Sequence, residues 1–344
     1  RPDGCAPRVC ACCFPSAPSG PAPTMSTQEA LAQALAAAAA TPQDDALWAA
    51  AEDIATALEQ PDELLAAYGD ALRSDGLSPD DCARLGQRAV AFHDAWGGES
   101  EALEALLSSV LARAPGTDWA FERLSMLYNA SARWDALLAL FDRALDALDA
   151  DRDRDRLVAL LDEAAEIARD LAGDAQRALP YLERRFRLDP GDVGVARTLE
   201  RLYERFKRPR DLIALWEARL PDLPADQVAP TRARIAALWL DLDARAAALD
   251  PAAALLRAAP DHPDLLPLLE RLALAPESPV ARRAIDHLRA RYDAAERTED
   301  LLRVLGLGLA VAADDTARVG LHDEMARRYL DDGKQSEAVA HVAA

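Results

Sequence analysis

The chain has 344 residues, 51% hydrophobic but only 5% aromatic, and its 59 acidic and 39 basic residues give a formal net charge of −20. Charge of that sign repels a phosphate backbone, which argues against nucleic acid as a partner. No run reaches the ~18 apolar residues of a membrane span, and no apolar segment precedes a signal-peptide cleavage site. We therefore expect a cytoplasmic location, and the arginine- and alanine-rich composition indicates a bacterial source.

Residues 1–24 differ in composition from the rest of the chain. Six prolines prevent a helix here, and four cysteines stand in a spacing that matches no zinc framework: Cys5, Cys10, Cys12 and Cys13. We therefore interpret residues 1–24 as a disordered leader or an upstream read-through and expect no metal site. Met25 opens a better start, because Ser26-Thr27-Gln28-Glu29 is a capping box that leads into an alanine-rich segment.

From residue 25 onward the chain alternates between helical periods and short breaks. The breaks are turn formers or residues that favour a helix start, and they leave segments of roughly 12–20 residues, the usual length of a helix. They fall at 41–42, 78–79, 97–98, 115–116, 173–174, 189–191, 221–224, 260–263 and 276–279. No alternating strand pattern and no long linker occurs, so residues 25–344 are predicted to be one continuous all-α array.

Four leucine-led stretches repeat along the chain. Their leading residues, Leu64, Leu137, Leu212 and Leu301, stand 73, 75 and 89 residues apart. Such spacing is typical of a stacked repeat architecture. A double unit of this length divides into two helix pairs, and the longer last interval predicts an irregular or inserted pair between Ala225 and Asp300.

The strongest internal match aligns Pro115–Leu145 with Pro190–Leu220 without a gap, at an offset of 75 residues. Under that offset apolar residues meet apolar residues at helical spacing, as Tyr128 does with Tyr203 and Phe141 with Trp216. These positions are those of one face on each of two antiparallel helices.

The same segments resemble the tetratricopeptide repeat (TPR), whose pattern is W-x2-L-G-x2-Y, then A-x3-F, then P. The first-helix pattern is matched by Phe121-x2-Leu124-Ser125-x2-Tyr128 and by Ala196-x2-Leu199-Glu200-x2-Tyr203. The second-helix pattern is matched by Leu137-x3-Phe141-x2-Ala144 and Leu212-x3-Trp216, and Leu188-Asp189-Pro190 carries the closing proline. The resemblance covers about residues 45–340, and the small residue expected between the helices is missing.

The resemblance implies a right-handed superhelical α-solenoid of antiparallel helix pairs, with the first helix of each pair lining a concave groove. Carried over by position, the groove residues would be Glu122, Ser125, Asn129, Arg197, Glu200 and Glu204. Glu337-Ala338-Val339-Ala340-His341 looks like the start of a second helix, so the array is predicted to be truncated within its last repeat.

No catalytic or cofactor motif stands out. Gly306-Leu307-Gly308 lacks the third glycine and the strand context of a dinucleotide loop. The five histidines, His93, His262, His287, His322 and His341, form no metal-binding pair in sequence and are interpreted as surface or groove residues, while Cys82 is interpreted as a core residue. The charge run 151–156 is interpreted as the solvated start of a helix, with a docking strip as the alternative. We predict no catalytic, cofactor or metal site.

The predicted function is that of a non-catalytic protein–protein interaction scaffold that binds a peptide or partner domain in its groove. The acidic balance favours partners with basic segments. The alternative is a non-catalytic helical arm of a larger multidomain enzyme or signalling protein, which the full-length gene would reveal.

Overall fold

The computed structural model describes residues 27–273, 279–312 and 314–343, with backbone alone for residues 279 and 280. Within these ranges the chain forms eighteen α-helices and no strand, which confirms the all-α class. The cysteine-rich leader, Met25 and Ser26 of the capping box lie outside the described residues.

The chain divides into two compact units. The N-terminal unit, Arg1–Asp153, contains α1 (Thr27–Ala40), α2 (Asp45–Leu58), α3 (Pro61–Arg73), α4 (Pro79–Trp96), α5 (Ser100–Arg113), α6 (Asp118–Ala130) and α7 (Trp134–Asp146).

The C-terminal unit, Arg154–Ala344, contains eleven helices within its described residues: α8 (Arg154–Glu166), α9 (Leu179–Leu188), α10 (Val193–Arg205), α11 (Pro209–Arg219), α12 (Ala225–Asp241), α13 (Arg245–Ala258), α14 (Leu265–Ala273), α15 (Pro279–Ala294), α16 (Thr298–Val311), α17 (Asp315–Asp331) and α18 (Gln335–Val342). A π-helical turn, Ile167–Leu171, extends α8, and a 3-10 turn, Leu220–Asp222, follows α11.

Among the described residues, six helix connections share one turn geometry. In each, a residue with left-handed φ stands two positions before the next helix: Glu59, Ala132, Lys207, Asp243, Glu296 and Gly333. The residue after it donates its N–H to the carbonyl five positions back, as Arg133 does to Tyr128 at 2.9 Å and Arg208 to Tyr203 at 2.9 Å. This left-handed cap satisfies the last carbonyls of a helix and reverses the chain sharply, so the two flanking helices pack side by side.

The shared turn identifies the first and second helices of six pairs: α2/α3, α6/α7, α10/α11, α12/α13, α15/α16 and α17/α18. The pairs α4/α5 and α8/α9 have longer connections that contain Gly97 and Gly173, both with positive φ. Within the described residues, α1 and α14 stand outside these pairs.

Helix α14 explains the long interval in the repeat. In the part of the chain that the structure describes, three helices separate α7 from α11, whereas four separate α11 from α16. Of the two predicted alternatives, an irregular or an inserted pair, the described residues between Ala225 and Asp300 fit the irregular one. They hold the pair α12/α13, the single extra helix α14, and α15, which pairs with α16. Its apolar face is fully engaged, with Leu269 and Leu272 both at 0% exposure.

The repeated apolar positions form the core of each unit. All four leading leucines, at positions 64, 137, 212 and 301, are buried. Tyr128 and Phe141 are buried in the N-terminal unit, and their counterparts Tyr203 and Trp216 are buried in the C-terminal unit. The gap-free internal match therefore reports real packing positions. The right-handed course of the superhelix stays a prediction.

Gly86 of α4 packs tightly against Val110 of α5. A Cβ atom at this position would lie 2.2 Å from Val110 Cγ2 and 3.6 Å from the Trp119 ring. Gly86→Ala is therefore expected to lower the free energy of unfolding by about 1–3 kcal/mol through overpacking. Gly306, inside α16, has nothing within 4 Å of such a Cβ.

Gly306→Ala is accordingly the matched control, because there the substitution only restricts the unfolded chain and should raise the free energy of unfolding by about 0.5–1 kcal/mol. Urea unfolding followed by circular dichroism measures both changes. Shifts of the same sign in the two variants would contradict this account of Gly86.

Candidate functional site

The six residues carried over from the resemblance form two triplets, one on the first helix of a pair in each unit. On α6, Glu122 and Asn129 are exposed, while Ser125 is half-buried and its hydroxyl has no hydrogen-bond partner among the described residues. The i, i+3, i+7 spacing places all three on one face of α6.

The second triplet occupies the same positions on α10 in the C-terminal unit. Arg197 and Glu204 are exposed, and Glu200 is half-buried. The structure therefore brings each triplet to the surface of its own helix. Glu200 differs from its neighbours because its carboxylate is already engaged.

Glu200 joins three helices. Its Oε1 accepts hydrogen bonds from Trp216 Nε1 of α11 at 3.0 Å and from Arg234 Nη2 of α12 at 2.8 Å. The Arg234 guanidinium also lies 4.1 Å from the centroid of the Trp216 ring. A cation over an indole face gains from the ring quadrupole, so the ion pair and the stacking hold Arg234 in one place.

The N-terminal unit contains the same arrangement. Glu52 Oε1 of α2 accepts from the Tyr68 hydroxyl of α3 at 2.6 Å and from Arg88 Nε of α4 at 2.8 Å. The aromatic residue follows the glutamate by 16 residues in both cases, and the arginine follows it by 36 and 34. We call a glutamate that accepts hydrogen bonds from an aromatic residue of its second helix and from an arginine of the next first helix a Glu–aromatic–Arg joint.

A third contact links successive first helices with the charges exchanged. Arg289 of α15 pairs with Glu324 of α17, 35 residues further on. These pairs connect one repeat to the next, which is a structural task. Glu200, predicted as a groove residue, thus also takes part in a joint, and its contact with a partner stays a prediction.

The electrostatics of the joint do not suit acid–base chemistry. Burial, and then the hydrogen bond to Glu52, raises the pKa of Tyr68 far above its ordinary range, and the same carboxylate raises the pKa of Arg88. Both groups therefore keep their protons near neutral pH. A general acid or base works best with a pKa near the operating pH, so Tyr68 and Arg88 are poorly suited to proton transfer and instead hold the helices together.

A second recurring network sits at the turn of two pairs. The Tyr128 hydroxyl donates to Glu104 Oε1 at 2.9 Å, and Arg133 donates to the same carboxylate. The counterpart contacts are Tyr203 to Glu183 at 3.0 Å and Arg208 to Glu183 at 3.2 Å. Hydrogen bonds from Arg133 lower the pKa of Glu104, so that this carboxylate stays ionised.

A cavity of about 390 Å³ opens beside the α10 triplet. Its charged lining residues come from α10, α11, the following turn and α12: Arg197, Glu200, Arg219, Asp222 and Arg234. Trp216 forms part of the wall. We call this cavity the arginine pocket. Two of the six sequence-predicted residues, Arg197 and Glu200, belong to it.

The structure also bears on metal ligands, the cysteine and membrane-spanning helices. Among the described residues, no three His, Cys, Asp or Glu side chains are placed to share a metal ion. Cys82 is fully buried, as expected of a core residue, and burial raises the pKa of its thiol. In the described parts of the chain, no helix combines the length and the apolar character that crossing a membrane requires.

The histidines depart from the sequence interpretation in two places. His93 is buried at 4% exposure, with its Nε2 3.0 Å from the Glu99 carbonyl oxygen, so it is not a surface residue. His322 and His341 are distant in sequence but close in space, with 2.9 Å between their Nδ1 atoms. Only the packing of α17 against α18 reveals this pair.

Comparison with known proteins gives fold neighbours only. No family model and no curated protein matches the chain. It is similar to the TPR domain of P58(IPK), with 12% identity and a TM-score of 0.25 over 92% of this chain and 86% of that one. It is also similar to Naa15/Naa10 bound to HypK-THB, with 16% identity and a TM-score of 0.26 over 92% and 50%.

A third neighbour is the C-terminal part of a TPR repeat-containing protein from Cytophaga hutchinsonii, with 15% identity and a TM-score of 0.25 over 78% of this chain and 98% of that one. Likeness at these scores carries no argument about function. The helix pairs, their shared turns and the joints between repeats define the class: within its described residues, each unit of the chain is all-α and built of tetratricopeptide-like helix pairs.

Proposed function

We propose that the protein is a non-catalytic protein–protein interaction scaffold that binds a peptide or partner domain on the exposed faces of its first helices. One observation carries the proposal. Both α6 and α10 bury apolar side chains in the core and expose polar ones to solvent. The exposed polar residues are Glu122, Asn129, Arg197 and Glu204.

The packed helices favour binding because their arrangement is fixed in the absence of a partner. The joints at Glu52 and Glu200 tie the first helices α2 and α10 to their own second helices and to the next first helices. A surface that is already ordered loses little conformational entropy on binding, so more of the contact energy appears as affinity. A cytoplasmic site of action belongs to the same proposal.

The test compares two charge-matched double variants of the C-terminal unit. R197A/E204A removes one arginine and one glutamate from the α10 face. R210A/E217A removes the same residue types from exposed positions of α11, which is a second helix. Each variant leaves the net charge unchanged and lies outside the core, so both should fold as the parent does.

Affinity capture followed by mass spectrometry identifies candidate partners, and each candidate is then purified and its Kd measured. We expect R197A/E204A to weaken binding at least about tenfold, a loss of ~1.4 kcal/mol, while R210A/E217A binds as the parent does. Partners that bind all three proteins equally, together with an unaffected E122A/N129A variant, would refute the proposed surface.

A further inference from the structure

The arginine pocket holds positive charge that the fold does not use. Of its three arginines, Arg234 is fixed by Glu200 and Trp216. The guanidinium groups of Arg197 and Arg219 make no ion pair or hydrogen bond within the part of the chain that the structure describes. The carboxylates that line the pocket are those of Glu200, which is already paired, and of the exposed Asp222.

The internal repeat distinguishes residues of the helix core from residues of the arginine pocket. Under the 75-residue offset, the buried aromatic positions of the core keep their character, as Tyr203 and Trp216 do against Tyr128 and Phe141. Arg197 and Arg219 do not, because their counterparts are Glu122 and Ala144. A helix pair of the same build therefore forms without these arginines, and folding does not explain them.

The chemistry of the pocket favours a carboxylate. A guanidinium presents parallel N–H donors that match the two oxygens of a carboxylate or the oxygens of a phosphate. Three arginines against two carboxylates leave an excess of one positive charge, which a carboxylate matches better than a doubly charged phosphate does. The volume of about 390 Å³ lies in the range of small-ligand pockets.

We propose that the arginine pocket receives the carboxylate side chain of an acidic segment in the partner. This inference rests on the proposed scaffold function and names the partner's chemistry at one site. It reverses, for this site, the expectation of basic partner segments that the net charge of −20 suggests. The negative net charge of the chain repels an acidic ligand at long range. Recognition of such a ligand therefore depends on the local positive charge of the unpaired guanidinium groups in the pocket.

Fluorescence anisotropy with short labelled peptides tests the proposal. Three glycine–serine peptides with blocked termini carry two adjacent central residues, either glutamate, glutamine or lysine. The glutamate peptide should bind at least about tenfold more tightly than the glutamine peptide, and the lysine peptide should bind more weakly still. Failure of the glutamate peptide to bind at about 1 mM, or equal Kd values for glutamate and glutamine, would overturn the proposal.

Two double variants with equal loss of charge locate the effect. R197Q/R219Q should abolish the preference for glutamate. R210Q/R257Q, which removes two exposed arginines that lie on α11 and α13 outside the pocket, should keep it. Equal losses in both variants would show a general field effect and not a site. Thermal unfolding of each variant, followed by circular dichroism, confirms that the helices are intact.

Two further probes distinguish the sources of the anion. A glutamine peptide with a free carboxyl terminus should not replace the glutamate peptide, and inorganic phosphate should compete only weakly. Stronger binding of either would assign the pocket to that anion and reject a carboxylate side chain. If R197Q/R219Q leaves glutamate binding intact while R197A/E204A still loses the captured partner, the pocket inference fails and the scaffold function stands.

Discussion

Alanine at position 48 is expected to lower the free energy of unfolding of the N-terminal unit by about 3–5 kcal/mol. Trp48 is fully buried, and its ring stacks on Tyr68 with 4.3 Å between centroids. Its Nε1 also donates to the Pro42 carbonyl oxygen at 3.0 Å, a bond that alanine cannot make. The truncation therefore removes apolar contacts, leaves a cavity and strands a backbone acceptor.

Urea unfolding followed by circular dichroism measures the loss. Trp96→Ala is the control, because Trp96 is 36% exposed and its ring is tilted against that of Phe92, with 6.1 Å between the ring centroids. That variant should lose less than about 1 kcal/mol. Comparable losses at positions 48 and 96 would contradict the assignment of Trp48 to the core.

Removal of Glu52 is expected to cost about 2–3 kcal/mol, because hydrogen bonds to a charged group contribute more than neutral ones and their partners stay behind. In Glu52→Ala, Arg88 loses its counter-charge and the Tyr68 hydroxyl loses its acceptor. The side chains of Arg88 and Glu52 are only 25% and 21% exposed, so water replaces these bonds poorly.

A double-mutant cycle between positions 52 and 88 isolates the interaction, with an expected coupling of about 1–2 kcal/mol. The reference cycle uses Asp70 and Arg73, an i,i+3 pair whose side chains are 79% and 57% exposed. Its coupling should not exceed about 0.5 kcal/mol. Equal couplings in the two cycles would mean that the joint is no more than a surface ion pair.

The sequence predicts the helical class and the repeat because both depend on local apolar periodicity. Leu64, Leu137, Leu212 and Leu301 recur at near-constant intervals, and burial of each follows from its position on one helix face. The turns were harder to predict. Five of the six shared turns described here place a residue other than glycine at left-handed φ, so the usual glycine signal of a helix end is missing.

The position of a residue on one face of its helix does not predict the contacts of the joints. Position on α10 predicts that Glu200 is accessible, but not that Arg234, 34 residues later, has taken its carboxylate. A signal was nevertheless present, because Glu52 and Tyr68 repeat the 16-residue separation of Glu200 and Trp216. Arg219 gave no such signal, since its counterpart in the internal repeat is Ala144.

The exchanged charges of the Arg289–Glu324 pair have a consequence for assembly of the array. Helix pairs with similar apolar faces can stack on the wrong neighbour while the chain collapses. In the C-terminal unit, α15 against α12 would set Arg289 beside Arg234, and α10 against α17 would set Glu200 beside Glu324. Like charges brought side by side repel each other. Because the Glu200–Arg234 and Arg289–Glu324 pairs have opposite polarity, each helix pair is attracted to its own neighbour and repelled by the other.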